Sequence, residues 1–215
     1  MEVAWAVLIV GFGLGVSLAA PPGPILVLSA DRAVHKGFWP GFIVTLGATV
    51  GDGTHAVLMG LGILPLIKRV HLLPEVLAVA GGLLLVYFAY GAWQKARRPP
   101  DLAHAHDVDD SGWSARYGLY VGGFAAGYLI ALTSPFNFAW WLSAGTALFR
   151  DYGTIVFYGF FAGIVSVAAT YVWLVRFAAA RVDGVVKAVS YGSAVLLVVF
   201  GLLVLWRGVH GLVPA

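Results

Sequence analysis

Pro21-Pro22-Gly23-Pro24 is the stretch on which the reading of this chain turns. Apolar sequence runs into it from Val3 to Ala20 and out of it from Ile25 to Ala30. Proline lacks a backbone donor and its ring clashes with the preceding helical turn. Three prolines within four positions, with Gly23 among them, therefore unwind a helix instead of merely kinking it. A second interruption, Thr133-Ser134-Pro135-Phe136-Asn137, stands inside the apolar stretch from Tyr117 to Phe149. In lipid, a freed backbone N–H or C=O costs several kcal/mol unless protein or a water-filled cavity satisfies it. Interruptions at corresponding places in two halves of a chain point to the binding site of a transporter.

Composition agrees with a membrane setting. Hydrophobic residues make up 60% and charged residues 11% of the 215 positions, and the mean hydropathy is +0.90. A soluble domain carries about 25% charged residues. A net charge of +3 offers no basic face to nucleic acid, and the absence of cysteine excludes disulfides, thiolate metal sites and thiol redox chemistry. Met1-Glu2-Val3 lacks the basic start of a signal peptide, so the first apolar segment is expected to stay as a helix.

A spanning helix needs about 20 apolar residues, which places six spans at roughly 3–30, 38–67, 73–94, 116–148, 154–178 and 188–208. The expected fold is an all-α polytopic membrane protein of six transmembrane helices, with proline breaks in spans 1 and 4. Residues 1–94 form the first three-helix repeat, 95–115 a polar linker loop and 116–215 the second repeat. Three is odd, so the two repeats must be inverted relative to each other. A rough match of Gly41-Phe42 to Gly159-Phe160 supports a duplication. Arg32, Lys36, Lys95, Arg97, Arg98, Arg116, Arg176, Arg181 and Lys187 fall on one side; Lys68, Arg69, Arg150 and Arg207 fall on the other. The richer side is expected to be cytoplasmic, which makes this a multi-pass protein of the cytoplasmic membrane with the central loop in the cytoplasm and both termini outside.

Asp52 is the sharpest candidate for chemistry. It lies mid-span, where insertion of a carboxylate costs at least about 2.5–3.5 kcal/mol. Thr45, Thr49 and Asp52 fall at i, i+4 and i+7 on one helix face, with His55 three residues on. This polar stripe suits the wall of a cavity. A neutral Asp52 that serves packing alone is the plainer reading. His55 can share a proton with Asp52, bind a metal, or only donate to a carbonyl. The half-helix restarting after Pro22-Gly23-Pro24 presents unpaired N–H groups and a partial positive charge. The half-helix after Pro135 can do the same, helped by the Asn137 amide, so both are candidate carboxylate sites. Under the Gly41-to-Gly159 match, Thr170 falls where Asp52 does. Trp140-Trp141 can line a pathway or stack on substrate, though such a pair more often packs or anchors at the interface. His104, His106, Asp107, Asp109 and Asp110 in the central loop can hold a divalent cation, though such loops are more often simply solvated. No nucleotide-binding loop and no nucleophile with a positioned base is present, so neither enzyme activity nor a cofactor is expected.

With Pro22-Gly23-Pro24 opening the first half and Gly47-Ala48-Thr49-Val50-Gly51-Asp52 in span 2, the chain resembles the LysE-type amino-acid exporters, which include the RhtB-type exporters. The resemblance extends over essentially the whole chain. It implies export of small amino acids or related metabolites, driven by an ion gradient. By position it carries roles to Pro22, Gly23, Pro24, Asp52 and Pro135. Members often show Asn-Pro-Lys in the second motif; here Ser134-Pro135-Phe136 stands instead, with Asn137 displaced and the basic contact absent. The expected function is proton-coupled amino-acid export, with protons as coupling ion and the bilayer as partner, and with self-association left open. The alternatives are a divalent-cation exporter and a non-transporting membrane scaffold.

Overall fold

The computed structural model describes residues 2–21, 23–62, 73–97, 113–142, 153–182 and 184–212. The described residues are helical throughout apart from short turns. The first helix, α1, spans Glu2–Ala19, and α2 spans Pro24–Lys36. The two are bent by 77° at the first proline break. Pro24 sits at the first helical position of α2, where its missing N–H costs nothing, and Gly23 in extended conformation precedes it.

Sequence reasoning ended span 1 at about residue 30 and put Arg32 and Lys36 in a loop. In the structure α2 runs on to Lys36, because nothing between Ala30 and Gly37 stops a helix. Gly37 stops it, at φ +103°, a conformation open to glycine and strained for other residues. The next helix, α3 (Phe38–Gly60), starts at once, without a loop, and ends seven residues short of the expected 67. Helix α4 spans Leu73–Arg97, α5 Trp113–Thr133, α6 Pro135–Trp140, α7 Ile155–Arg181 and α8 Val185–Leu212. Expected span 4 is thus divided at Ser134, as its proline implied. Most of the central loop, with His104, His106, Asp107, Asp109 and Asp110, lies outside the described residues, as does Pro22.

Three helices, Phe38–Gly60, Ile155–Arg181 and Lys187–His210, are long and apolar enough to cross a membrane. The bent pair Ala4–Ala19 and Pro24–Lys36 passes the same test together, and Val79–Gly91 and Tyr117–Thr133 are shorter apolar helices. The chain is a multi-pass membrane protein. Its outward faces carry large apolar residues such as Trp5, Ile9, Tyr87, Leu202 and Trp206, which suits a surface solvated by lipid.

Among the described residues, helices pair in three long seams: α1 with α7, α3 with α5, and α4 with α8. In the α1–α7 seam, a Cβ on Gly11 or Gly15 would run into the carbonyls of Val156 and Phe160. One on Gly159 or Gly163 would meet those of Leu8 and Phe12. In the α3–α5 seam, Gly47 and Gly127 face the Phe124 and Val44 carbonyls in the same way. Lipid gives helices no hydrophobic drive to associate, so such close backbone approach, with its dispersion contacts, is what holds them. Helix α2 lies against α3, α7 and α8. One buried cluster joins Val27, Leu28, Val44, Leu85, Ile130 and Leu197, and a second joins Leu18, Met59, Trp141, Phe160 and Ile164.

Candidate functional site

Both proline breaks open onto one cavity of about 370 Å³. Pro21, Gly23 and Pro24 line it from the first break; Thr133, Ser134, Phe136 and Asn137 line it from the second. Thr45, Ala48, Thr49 and Asp52 contribute one face of α3, the stripe expected from the i, i+4, i+7 spacing. Leu85 of α4 and Phe200, Leu203 and Val204 of α8 supply apolar wall.

Asp52 is 5% exposed and lines this cavity. Its Oδ1 accepts two neutral donors from the second break: Asn137 Nδ2 at 3.0 Å and Trp141 Nε1 at 3.2 Å. Among the described residues no donor reaches Oδ2. Asn137 is itself held by the short helix α6, where Ser134 acts as N-cap and its Oγ accepts from the Asn137 N–H at 3.4 Å. Asn137 and Trp141 are four residues apart and so share a helical face.

Around the carboxylate, the threonine hydroxyls are already committed. Thr45 donates to Phe42 O at 2.6 Å, Thr49 to Thr45 O at 2.8 Å and Thr133 to Leu129 O at 2.7 Å. Each hydroxyl has one proton, so towards a ligand these groups offer lone pairs only. Helix α2 has no side-chain cap. Its first internal bond runs from the Val27 N–H to Gly23 O. The N–H groups of Ile25 and Leu26 therefore have no partner inside the helix, and both residues line the cavity.

The structure thus brings together Thr45, Thr49, Asp52, Gly23, Pro24 and Asn137, with Pro135 opening α6. It does not bring His55 to them. His55 is buried beside Phe138, with ring centroids 6.4 Å apart, and no bond joins it to Asp52 among the described residues. One helical turn beyond the carboxylate, its ring turns into the aromatic cluster. Thr170 is exposed and does not line the cavity. The Gly41-to-Gly159 match that carried Thr170 joins glycines in different contacts: Gly41 packs on Ala33 and the Ser29 carbonyl, Gly159 on the Leu8 carbonyl.

Two features were missed. Trp141, fully buried, is a direct partner of Asp52 rather than an interfacial anchor. Asp31, assigned to a loop, is buried on α2; its Oδ1 lies 3.4 Å from His35 Nδ1, and His35 Nε2 lies 3.2 Å from the Ser190 hydroxyl. The Asp-x-x-x-His spacing in a stretch without a helix breaker was the available signal.

The fold and site are those of a multi-pass helical membrane protein in which two broken helices meet at one buried carboxylate. The LysE type translocator family matches the chain over residues 16–210, and the chain belongs to it. The chain is 28% identical over 129 residues to YcgF of Bacillus subtilis (strain 168), a protein named for amino acid efflux. That match covers 60% of this chain and 57% of that one. It is 33% identical over 145 residues to the chemotactic transduction protein ChpE of Pseudomonas aeruginosa, covering 66% of this chain and 63% of that one. The chain therefore spans less than two thirds of either relative's length. No solved structure matches it.

Proposed function

We propose that the chain exports amino acids or closely related metabolites across the cytoplasmic membrane, coupled to protons. The observation that carries this reading is the meeting of both breaks and Asp52 at one cavity, with Oδ1 held by Asn137 and Trp141 and no donor on Oδ2 among the described residues. An amino acid places its ammonium at Asp52 and its carboxylate on the N–H groups at the start of α2, where the helix dipole favours negative charge. Protonation of Asp52 from outside cancels the attraction and releases the substrate. Each charge moved across 100 mV contributes about 2.3 kcal/mol to the cycle.

The same reading takes the chain as six spans in two inverted repeats. Gly11 and Gly123, Gly15 and Gly127, Gly47 and Gly159, and Gly51 and Gly163 share one constant interval in sequence. Counting α1–α2 as span 1 and α5–α6 as span 4, the seams pair spans 1 with 5, 2 with 4, and 3 with 6. Exchanging the halves maps this set onto itself, as an inverted repeat requires. The Lys/Arg bias then puts the central loop in the cytoplasm and both termini outside.

Purified protein in proteoliposomes loaded with one amino acid at a time should accumulate the labelled form of a transported one, and an inward-acid pH gradient should change its steady state. Empty-vesicle levels for every amino acid would remove the exporter reading. A single cysteine introduced at position 105 should resist an impermeant reagent added to intact cells; labelling from outside would invert the topology.

A further inference from the structure

The lining of the cavity divides by chemistry. Its polar side chains are one carboxylate, Asp52, threonine hydroxyls whose protons are spent on their own helices, and, at the second break, the Ser134 hydroxyl and the Asn137 amide that donates to Asp52. The wall away from α3 and the two breaks is carbon: Leu85, Ile130, Phe200, Leu203 and Val204 among others. No Lys, Arg or His and no second Asp or Glu lines it among the described residues. An α-ammonium, with three donors, suits Asp52 Oδ2 and the threonine oxygens, and an α-carboxylate suits the open start of α2. What remains for the substrate's side chain is apolar wall.

A second ammonium, a guanidinium or a side-chain carboxylate placed there would be buried without a counter-charge, which is heavily penalised. Large apolar side chains gain by leaving water. A cavity of about 370 Å³ lies within the usual range for small-molecule sites, which leaves room beyond the backbone groups of an amino acid.

Resting on the exporter reading above, we propose that the substrates of this chain are zwitterionic amino acids with large apolar side chains, such as leucine, isoleucine, methionine and phenylalanine, and that α4 and α8 set this preference through Leu85, Phe200, Leu203 and Val204.

The test is counterflow of labelled leucine into proteoliposomes loaded with leucine, with competing amino acids outside. Parallel vesicles are loaded with lysine, glutamate or threonine and given the matching label. Isoleucine, methionine and phenylalanine should compete within about threefold of leucine, and lysine and glutamate at least about tenfold more weakly. Lysine or glutamate exchanging as well as leucine would overturn the preference and leave the exporter reading standing. No exchange in any of the four vesicle sets would remove both. In Phe200→Ala, leucine competition should weaken about tenfold while alanine competition moves less than about twofold. Both are read on the same vesicles, so folded yield cancels; an equal loss for leucine and alanine would overturn the assignment to α8.

Discussion

Helices α3 and α7 each press a pair of glycines four residues apart into a long seam, yet the side chains beside those glycines present opposite chemistry. On α3 the sequence positions are Thr45, Ala48, Thr49 and Asp52; at the glycine interval the same positions on α7 are Phe157, Phe160, Phe161 and Ile164. Backbone packing is common to both, with glycines of each helix pressed on a partner's carbonyls. The side chains are not. One half brings the charge, and the other encloses it with aromatic rings and supplies the neutral donors Asn137 and Trp141 that hold it. A carboxylate at both places would set two like charges around one cavity, each with fewer donors. The comparison teaches that the same kind of glycine seam can carry side chains with separate tasks, a charge on one helix and its aromatic surround on the other.

The largest effect should come from breaking the aromatic side. Phe160 is fully buried and its ring centroid lies 5.4 Å from those of both Trp140 and Trp141. Phe160→Ala should cost about 3–5 kcal/mol through the cavity it leaves, read as a lowered melting temperature in detergent. A parent-like melt would show that this half holds nothing in place. Next comes the link between the halves. Asp52→Ala leaves the Asn137 amide and the Trp141 N–H without their acceptor, at about 1–3 kcal/mol for each buried group. If it melts like the parent protein, those two bonds do not join the halves. Smaller still is the shared frame. Gly127→Ala drives a methyl into the Val44 carbonyl and should cost about 1–3 kcal/mol. Gly118→Ala on the same helix meets open space and should stay within about 0.5 kcal/mol of the parent. Equal melts for the two variants would remove the close seam from the account.

Some of this was legible before any coordinates. Three prolines in four positions break a helix by covalent geometry alone, and Asp52 with Thr45 and Thr49 shares a face by helical periodicity alone. Those local rules placed the two breaks and the polar stripe. What failed depended on relations between distant elements. His55 continues the stripe by spacing, but its ring is drawn against Phe138, a partner 83 residues away that no local pattern indicates. Trp141 finds Asp52 across an 89-residue separation. Thr170 rests on a match of Gly41, a glycine of the α2–α3 contact, to Gly159, a glycine of the α1–α7 seam, and the two pack against unlike neighbours. Asp31 and Arg32 looked like loop residues because they are charged. They lie in α2 because no residue before Gly37 ends the helix, and Arg32 is satisfied there by the Leu119 carbonyl at 3.2 Å.

The central claim is that the charge of Asp52, and not its packing, holds the substrate. Asp52→Asn keeps an oxygen for Asn137 and Trp141 at almost unchanged volume and removes only the charge. A charge-assisted hydrogen bond to an ammonium is roughly twice as strong as a neutral one. The direct measurement is amino-acid counterflow by Asp52→Asn in proteoliposomes, beside its melting temperature in detergent. The account predicts a melting temperature near the parent's and counterflow reduced to the level of empty vesicles. A stable Asp52→Asn protein that exchanges amino acids at the parent's rate would contradict it.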